Sequence, residues 1–213
     1  MKLEIRNVLP TYFEETRKAD SGIWGKDLVF SNGDLINIVA PSGTGKTSLV
    51  HFLYNLRTDY TGEIRYDGTP LKNMNREALA ALRKDHVSIV LQDMRLFGEQ
   101  TLRENLEIKR QLHPYYPAER IQEMARILGV DHRLNALARH CSYGEQQRAV
   151  IIRALLQPFE VLLMDEPFSH LDQANSQKAI DLILEEAANR KALVLFAELE
   201  KAAGFHATHL YHL

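Results

Sequence analysis

Three short apolar runs, Leu35–Val39, Val87–Leu91 and Val161–Met164, leave this chain few ways to fold. Runs of that length without polar alternation bury both faces, as strands of a parallel sheet do. Leu193–Phe196 is a fourth candidate. Lys2–Val8 alternates instead, as a half-buried strand would. Asp27–Phe30 follows as a possible neighbour, and Ser31-Asn32-Gly33-Asp34 is a strong turn signal. Between Leu91 and Val161 the pattern turns helical. Ile121, Met124, Ile127 and Leu128 are expected on one helical face after Pro117, which suits a first helical turn. The expectation is one α/β domain, its core about residues 1–92 and 158–213, interrupted by a helical subdomain at about 93–157.

The bulk numbers exclude several classes. At 213 residues, 45% hydrophobic and 25% charged, the chain suits one globular domain. A net charge of −2 gives no general attraction for nucleic acid or anionic lipid, so no nucleic-acid partner is expected. Cys141 is the only cysteine, which excludes an intrachain disulfide and a cysteine metal cluster. The start, Met1 to Arg6, lacks the apolar core of a signal peptide. No apolar run approaches the roughly 20 residues that span a bilayer. A cytoplasmic location is expected, with any membrane role supplied by a partner.

The segment Ala40-Pro41-Ser42-Gly43-Thr44-Gly45-Lys46-Thr47-Ser48 lies between the Leu35–Val39 run and a predicted helix. Strand, glycine-containing loop and helix start is the context of a phosphate-binding loop. Gly43 and Gly45 let the backbone curl so that its N–H groups converge on an anion, and the helix N-terminus adds positive potential. Lys46 would reach terminal phosphates and the Thr47 hydroxyl would ligate Mg²⁺. The strict motif fails at Ala40, where its first glycine belongs, so the loop alone leaves an ordinary αβ turn open.

Two further segments carry candidate chemistry. Val161 to Met164 ends in Asp165-Glu166-Pro167. One carboxylate there can hold Mg²⁺ and the next can polarise a water, although two acids capping a buried strand need no ligand. Ser142 and Glu145 in Cys141-Ser142-Tyr143-Gly144-Glu145-Gln146-Gln147-Arg148 have capping-box spacing, which by itself is commonplace.

The order of these segments, with Gln92 between the first and second and Ser169-His170-Leu171-Asp172 last, resembles the ABC (ATP-binding cassette) ATPases over nearly the whole chain. They look like that family's Walker A loop, Q-loop, signature motif, Walker B strand and D-loop. Gly62-Glu63-Ile64, Tyr66-Asp67-Gly68, and Leu96, Phe97 and Thr101 after Gln92 match as well. The resemblance implies a P-loop NTPase core with a mostly parallel sheet, an N-terminal antiparallel portion and the inserted helical subdomain. It implies two domains packed head to tail around two ATP with Mg²⁺, a homodimer being expected. Ser42, Gly43, Thr44, Gly45, Lys46, Thr47 and Ser48 of one copy would hold the nucleotide, with Ser142, Gly144 and Glu145 of the other. Glu166 would be the base, Asp165 and Gln92 would support Mg²⁺ and the attacking water, and Asp172 would align the opposite site. Tyr12 is the candidate for stacking on adenine; Phe13 competes, and a packed tyrosine is the plain alternative. Met94, Leu96 and Phe97 would line a groove for a short helix of a membrane subunit, unless they simply pack beneath the insertion. The compact form is similar to the subunits of lipoprotein-releasing and macrolide-export systems.

The chain departs from the family in places. Ala40 adds a methyl group at a tight bend, and Tyr143 replaces the first signature glycine, where any φ > 0 would strain it. Cys141 stands for a leucine, a packing exchange. Glu198 stands where the family has a histidine near the γ-phosphate. A carboxylate 4 Å from one phosphate charge is repelled by roughly 1 to 4 kcal/mol. Glu198 must then turn away, be protonated, or weaken hydrolysis. His206, His209 and His212 suit a terminal strand better than a metal site, and His170 is expected merely to be tolerated. The leading reading is the ATPase subunit of a transporter. A low-turnover nucleotide-gated binding module and a DNA-repair or translation ATPase of the same superfamily are the alternatives.

Overall fold

The computed structural model describes residues 1–14, 21–200 and 204–213. The chain opens with β1 (Leu3–Pro10), β2 (Asp27–Phe30) and β3 (Leu35–Val39), then α1 (Lys46–Leu53), β4 (Tyr60–Tyr66), β5 (Thr69–Pro70) and α2 (Arg76–Asp85). After β6 (Val87–Val90) come α3 (Leu102–Leu112), α4 (Glu119–Ile127) and α5 (Tyr143–Leu155). The chain closes with β7 (Val161–Asp165), α6 (Gln173–Arg190), β8 (Leu193–Glu198) and β9 (His209–His212).

Two sheets form, as the hydrophobic patterns require. The alternating strand β1 pairs antiparallel with β2 and β4 in the order β2-β1-β4-β5. The apolar runs form a parallel sheet, β6-β7-β8-β3-β9, in which every residue of β7 and β8 is buried. The expected mostly parallel sheet with an antiparallel N-terminal portion is what the chain builds. The C-terminal histidines His209 and His212 lie on β9, beside β3.

One apolar cluster joins the antiparallel sheet, α1 and one face of the parallel sheet, around Trp24, Phe52 and Leu163. The other packs α4, α5 and α6 on the opposite face, around Met124, Ile151 and Phe196. Helix α4 corrects the predicted face. Ile121, Met124 and Leu128 are buried, but Ile127 is exposed and Ala125 takes its place. At 100° per residue, Ile127 falls about 240° from Ile121 and turns to solvent.

The register of the parallel strands positions the site. Asp165 lies opposite Ala197, and Val39 lies opposite Glu198. The carboxyl ends of β3, β7 and β8 therefore bring the loop after Val39, the acids 165–166 and Glu198 to one edge of the sheet, where open α/β sheets bind their ligands.

Candidate functional site

A cavity of about 360 Å³ opens at that edge. Ser42, Gly43, Gly45, Lys46, Thr47 and Ser48 form its floor. Tyr12 and Phe13 stand on one side, Gln92 and Glu166 on the other. Gly45 precedes α1 at φ 101°, and a Cβ there would sit 3.0 Å from the Trp24 ring and 3.1 Å from Phe13. Both the backbone and the space demand glycine. Thr44 does not line the cavity. Its hydroxyl donates to the Pro41 carbonyl at 2.8 Å, and its own carbonyl accepts from Trp24 Nε1 at 3.2 Å, so it braces the loop.

Lys46 lies folded along the loop. Its ammonium donates to the Ala40 carbonyl at 2.7 Å and to the Pro41 carbonyl at 3.1 Å, and it reaches Glu166 at 3.4 Å. Gln92 Nε2 donates to the second Glu166 oxygen at 3.0 Å. Glu166 itself has φ 46°, a left-handed conformation uncommon outside glycine and a form of strain that the surroundings must hold. They do so through its backbone. Its N–H bonds to the Ala197 carbonyl at 2.9 Å, and its carbonyl accepts from Gln147 Nε2 at 3.0 Å.

Asp165 is fully buried, and neither carboxylate oxygen has a hydrogen bond of good geometry. Burial pushes its pKa up to about 6, aided by the Glu166 charge and opposed by the neighbouring Thr47 hydroxyl. A smaller cavity of about 110 Å³ joins Asp165, Thr47, Gln92, Asp93 and His51. A buried carboxylate whose oxygens lack a hydrogen bond of good geometry, in a cavity that also holds the Thr47 hydroxyl, the Gln92 amide and the Asp93 carboxylate, suits a hard divalent cation.

The aromatic alternatives separate clearly. Tyr12 is 50% exposed, with its hydroxyl 2.5 Å from Ser48 Oγ. Phe13 packs edge-on between Tyr12 and Trp24. Arg57, which the sequence reading missed, lies over the Tyr12 ring at 5.1 Å and donates to Ser48 Oγ at 3.2 Å. An arginine outside every motif carries no signal by which sequence could find it. Gln147 was missed too, although its place in the predicted α5 run, one turn after Tyr143, offered a hint.

The signature segment lies outside the cavity of its own chain. Ser142 caps α5 by accepting from the Glu145 N–H at 3.3 Å, while Glu145 returns to the Ser142 N–H at 2.8 Å and binds Arg133 at 2.9 Å. The Glu145 carboxylate is thus engaged in the cap. Tyr143 is not strained: it is the first helical residue of α5, is 69% exposed, and lies against the His170 ring at 5.3 Å. Gly144 is needed for space, since its Cβ would lie 2.9 Å from the His170 carbonyl. Asp172 caps α6 by accepting from the Asn175 N–H at 2.8 Å.

The remaining departures also resolve. Ala40 is buried without a positive φ, and its N–H continues the β3–β8 ladder to the Glu198 carbonyl at 3.1 Å. Cys141 packs with Leu102, Ala138 and Ala149. Glu198 turns from the loop cavity into a neighbouring one, beside Phe168, Leu171 and Gln177. Burial raises its pKa to about 8, and the charges of Glu166 and Asp165 push the same way against the Phe168 amide. Its neutral form is favoured at pH 7. Beyond Gln92, Met94 is buried and Leu96 is partly buried, leaving Phe97 as the exposed member of the expected groove.

Comparison with known proteins agrees with this geometry. The family model described as "ABC transporter" matches residues 25–169. The lipoprotein-releasing system ATP-binding protein LolD 1 of Chlorobium luteolum is 31% identical over 96% of this chain and 91% of its own length. The macrolide export ATP-binding/permease protein MacB of Marinobacter nauticus is 33% identical over 86% of this chain, which spans only 29% of that protein. A solved structure titled "Dimeric Structure of MJ0796, a Bacterial ABC Transporter Cassette" superposes with a TM-score of 0.80 at 22% identity, over 93% of this chain and 88% of that one. With these likenesses covering the strand-end cavity and the motifs around it, the chain belongs to the ABC transporter family, as an ATP-binding cassette.

Proposed function

We propose that two copies of the chain pack head to tail around two Mg-ATP and hydrolyse them to drive separate membrane subunits. The observation that supports this most is the placement of Glu166, whose carboxylate faces the loop cavity between Lys46 and Gln92. Glu166 would take the proton of the attacking water, and Gln92 would orient that water. Lys46 would leave the loop carbonyls for the β- and γ-phosphates, and Tyr12 would stack on adenine. Thr47, Asp165 and Gln92 would hold Mg²⁺, which supplies charge neutralisation at the phosphates when bound. The unsatisfied Asp165 oxygens fit that group.

Ser142, Gly144 and Asp172 are absent from the lining of their own chain's cavity, as a site shared between copies requires. The capped N-terminus of α5 is suited to face the partner copy's γ-phosphate. Among the described residues no helix is long and apolar enough to cross a membrane. A membrane subunit would dock at Leu96 and Phe97 and hold the chain at the cytoplasmic face. Residues 93–157 would move as the helical subdomain.

Glu198 favours a second reading, a nucleotide-gated module of low turnover, because a buried neutral carboxyl stands where the family has a histidine. Glu166→Gln tests both. Loss of steady-state hydrolysis by roughly a hundredfold or more, with a dimer in ATP by light scattering, is expected of the ATPase. Wild-type turnover no faster than the variant would favour the gated module. A monomer at every ATP concentration would exclude the shared site.

A further inference from the structure

Arg57 and Asp59, on the segment between α1 and β4, grip the chain around Tyr12 at several points. The Thr11 N–H donates to the Asp59 carbonyl at 2.9 Å, and the Thr11 hydroxyl donates to the same oxygen at 3.1 Å. The Asp59 carboxylate accepts from Arg57 Nε at 3.0 Å and from Arg57 Nη2. So anchored, the Arg57 guanidinium lies over the Tyr12 ring, 5.1 Å from its centroid, and over the Phe52 ring at 5.6 Å. Its remaining nitrogen, Nη1, donates to Ser48 Oγ at 3.2 Å, and the Tyr12 hydroxyl meets the same oxygen at 2.5 Å. These contacts close a circuit from Thr11 through Asp59, Arg57 and Ser48 back to Tyr12.

Each guanidinium nitrogen is thus engaged within the chain, and Arg57 does not line the loop cavity, whereas Tyr12 and Ser48 do. In this arrangement Arg57 meets a nucleotide only through those two neighbours. The ion pair itself adds little stability, since the Arg57 and Asp59 side chains are 39% and 42% exposed. What it fixes is direction. A tyrosine ring half exposed to solvent has rotamers open to it, and ordering it costs free energy when a ligand stacks on it. A cation held over the ring removes that freedom beforehand, drawn by the negative face of the π-system.

We propose that Arg57 is a positioning residue for the base: it sets the Tyr12 ring in the orientation that stacks on adenine, and so contributes to affinity for the nucleoside rather than for the phosphates. This rests on the reading of Tyr12 as the stacking aromatic and adds the residue that prepares it. Asp59 belongs to the same device, because it ties Arg57 and the backbone before Tyr12 to one residue.

Calorimetric titration of ATP and of tripolyphosphate into the full chain tests it, with the melting temperature of every variant measured alongside. Arg57→Met keeps an unbranched side chain and removes the charge. It is expected to weaken ATP binding roughly two- to fivefold, the range of one exposed cation–ring contact, with tripolyphosphate affinity unchanged. Arg57→Lys should recover part of the loss, and in a Tyr12→Ala background Arg57→Met should add none. Should Arg57→Met melt well below wild type, Asp59→Asn leaves the arginine but unpins it. That variant is expected to weaken ATP and not tripolyphosphate, and no change in either overturns the proposal. An equal loss for both ligands in Arg57→Met assigns Arg57 to the phosphates through Ser48 and overturns it too. So does a loss that persists beside Tyr12→Ala. If Tyr12→Ala weakens ATP alone while Arg57→Met leaves both ligands unaffected, stacking stands and the role of Arg57 falls. If Tyr12→Ala weakens neither ligand, or both equally, the stacking reading fails and the positioning role fails with it.

Discussion

Lys46 and Glu166 form an ion pair at 3.4 Å with side chains only 4% and 10% exposed. Lys46→Ala leaves the Glu166 charge with Gln92 alone, and the expected loss of stability without nucleotide is about 2 kcal/mol. Glu166→Gln costs less, because Lys46 keeps its two loop carbonyls. The double variant is therefore expected to be more stable than the sum of the singles by about 1 kcal/mol. Urea unfolding of the four proteins measures this, and additive losses would show that the pair is not coupled.

Tyr12 and Phe13 are adjacent in sequence and should fail in different ways. Tyr12→Ala is expected to weaken ATP binding by about 1 to 3 kcal/mol through lost base stacking, leaving tripolyphosphate affinity and melting temperature nearly unchanged. Phe13→Ala should lower the melting temperature, since its ring packs against Trp24. Calorimetric titration with both ligands separates the two. An equal loss for tripolyphosphate would remove Tyr12 from the base.

At α5 the roles of neighbours invert. Tyr143→Gly should cost no more than about 1 kcal/mol, the helix propensity of an exposed residue. Gly144→Ala should cost about 1 to 3 kcal/mol, because the added methyl meets the His170 carbonyl at 2.9 Å. Thermal melts of the two variants give the order, and a tolerant Gly144→Ala would mean that the 168–171 turn yields freely.

Glu198 imposes a pH dependence on stability. Its pKa rises from 4.5 to about 8 in the fold, so the folded chain binds more protons than the unfolded one between those values. Stability from this group is complete below about 4.5 and is lost as pH rises through about 8. Glu198→Gln should remove that slope and melt higher than wild type at pH 8.5, measured without nucleotide. Asp165 contributes the same sign up to about 6 and remains in both proteins, so the comparison is made above pH 7, where Glu198 is the one of the two still titrating. Parallel pH profiles would place the Glu198 charge in solvent.

Much of the cassette was legible because its signals are local. Leu35–Val39 and Val161–Met164 read as buried strands through composition alone, and Ser142 with Glu145 read as a cap through spacing that the helix start enforces. Loop residues Gly43, Gly45, Lys46 and Thr47 were legible for the same reason, since a strand, a loop and a helix start in succession leave the backbone little choice. Ile127 was misread where a local pattern had to give way to packing, and of the two alternatives open for Met94 its burial fits the packed one. Ile127 belongs to a run that is apolar but turns past the core, and Met94 sits in a segment whose backbone folds it inward at φ 57°.

By itself the sequence determined which segments become strands and helices, and that a lysine and a hydroxyl stand at the start of α1 with two acids at the end of β7. Only the tertiary structure decided how these meet. The β3–β8 and β7–β8 registers bring Ala40, Glu166 and Glu198 to one edge from positions far apart in the chain, and no local preference encodes that alignment. The left-handed backbone of Glu166, the burial that raises Glu198, and the carbonyl bonds that hold Arg153 each depend on neighbours from other elements. Desolvation and backbone strain are properties of what surrounds a residue, so they exist only once the chain has closed around it.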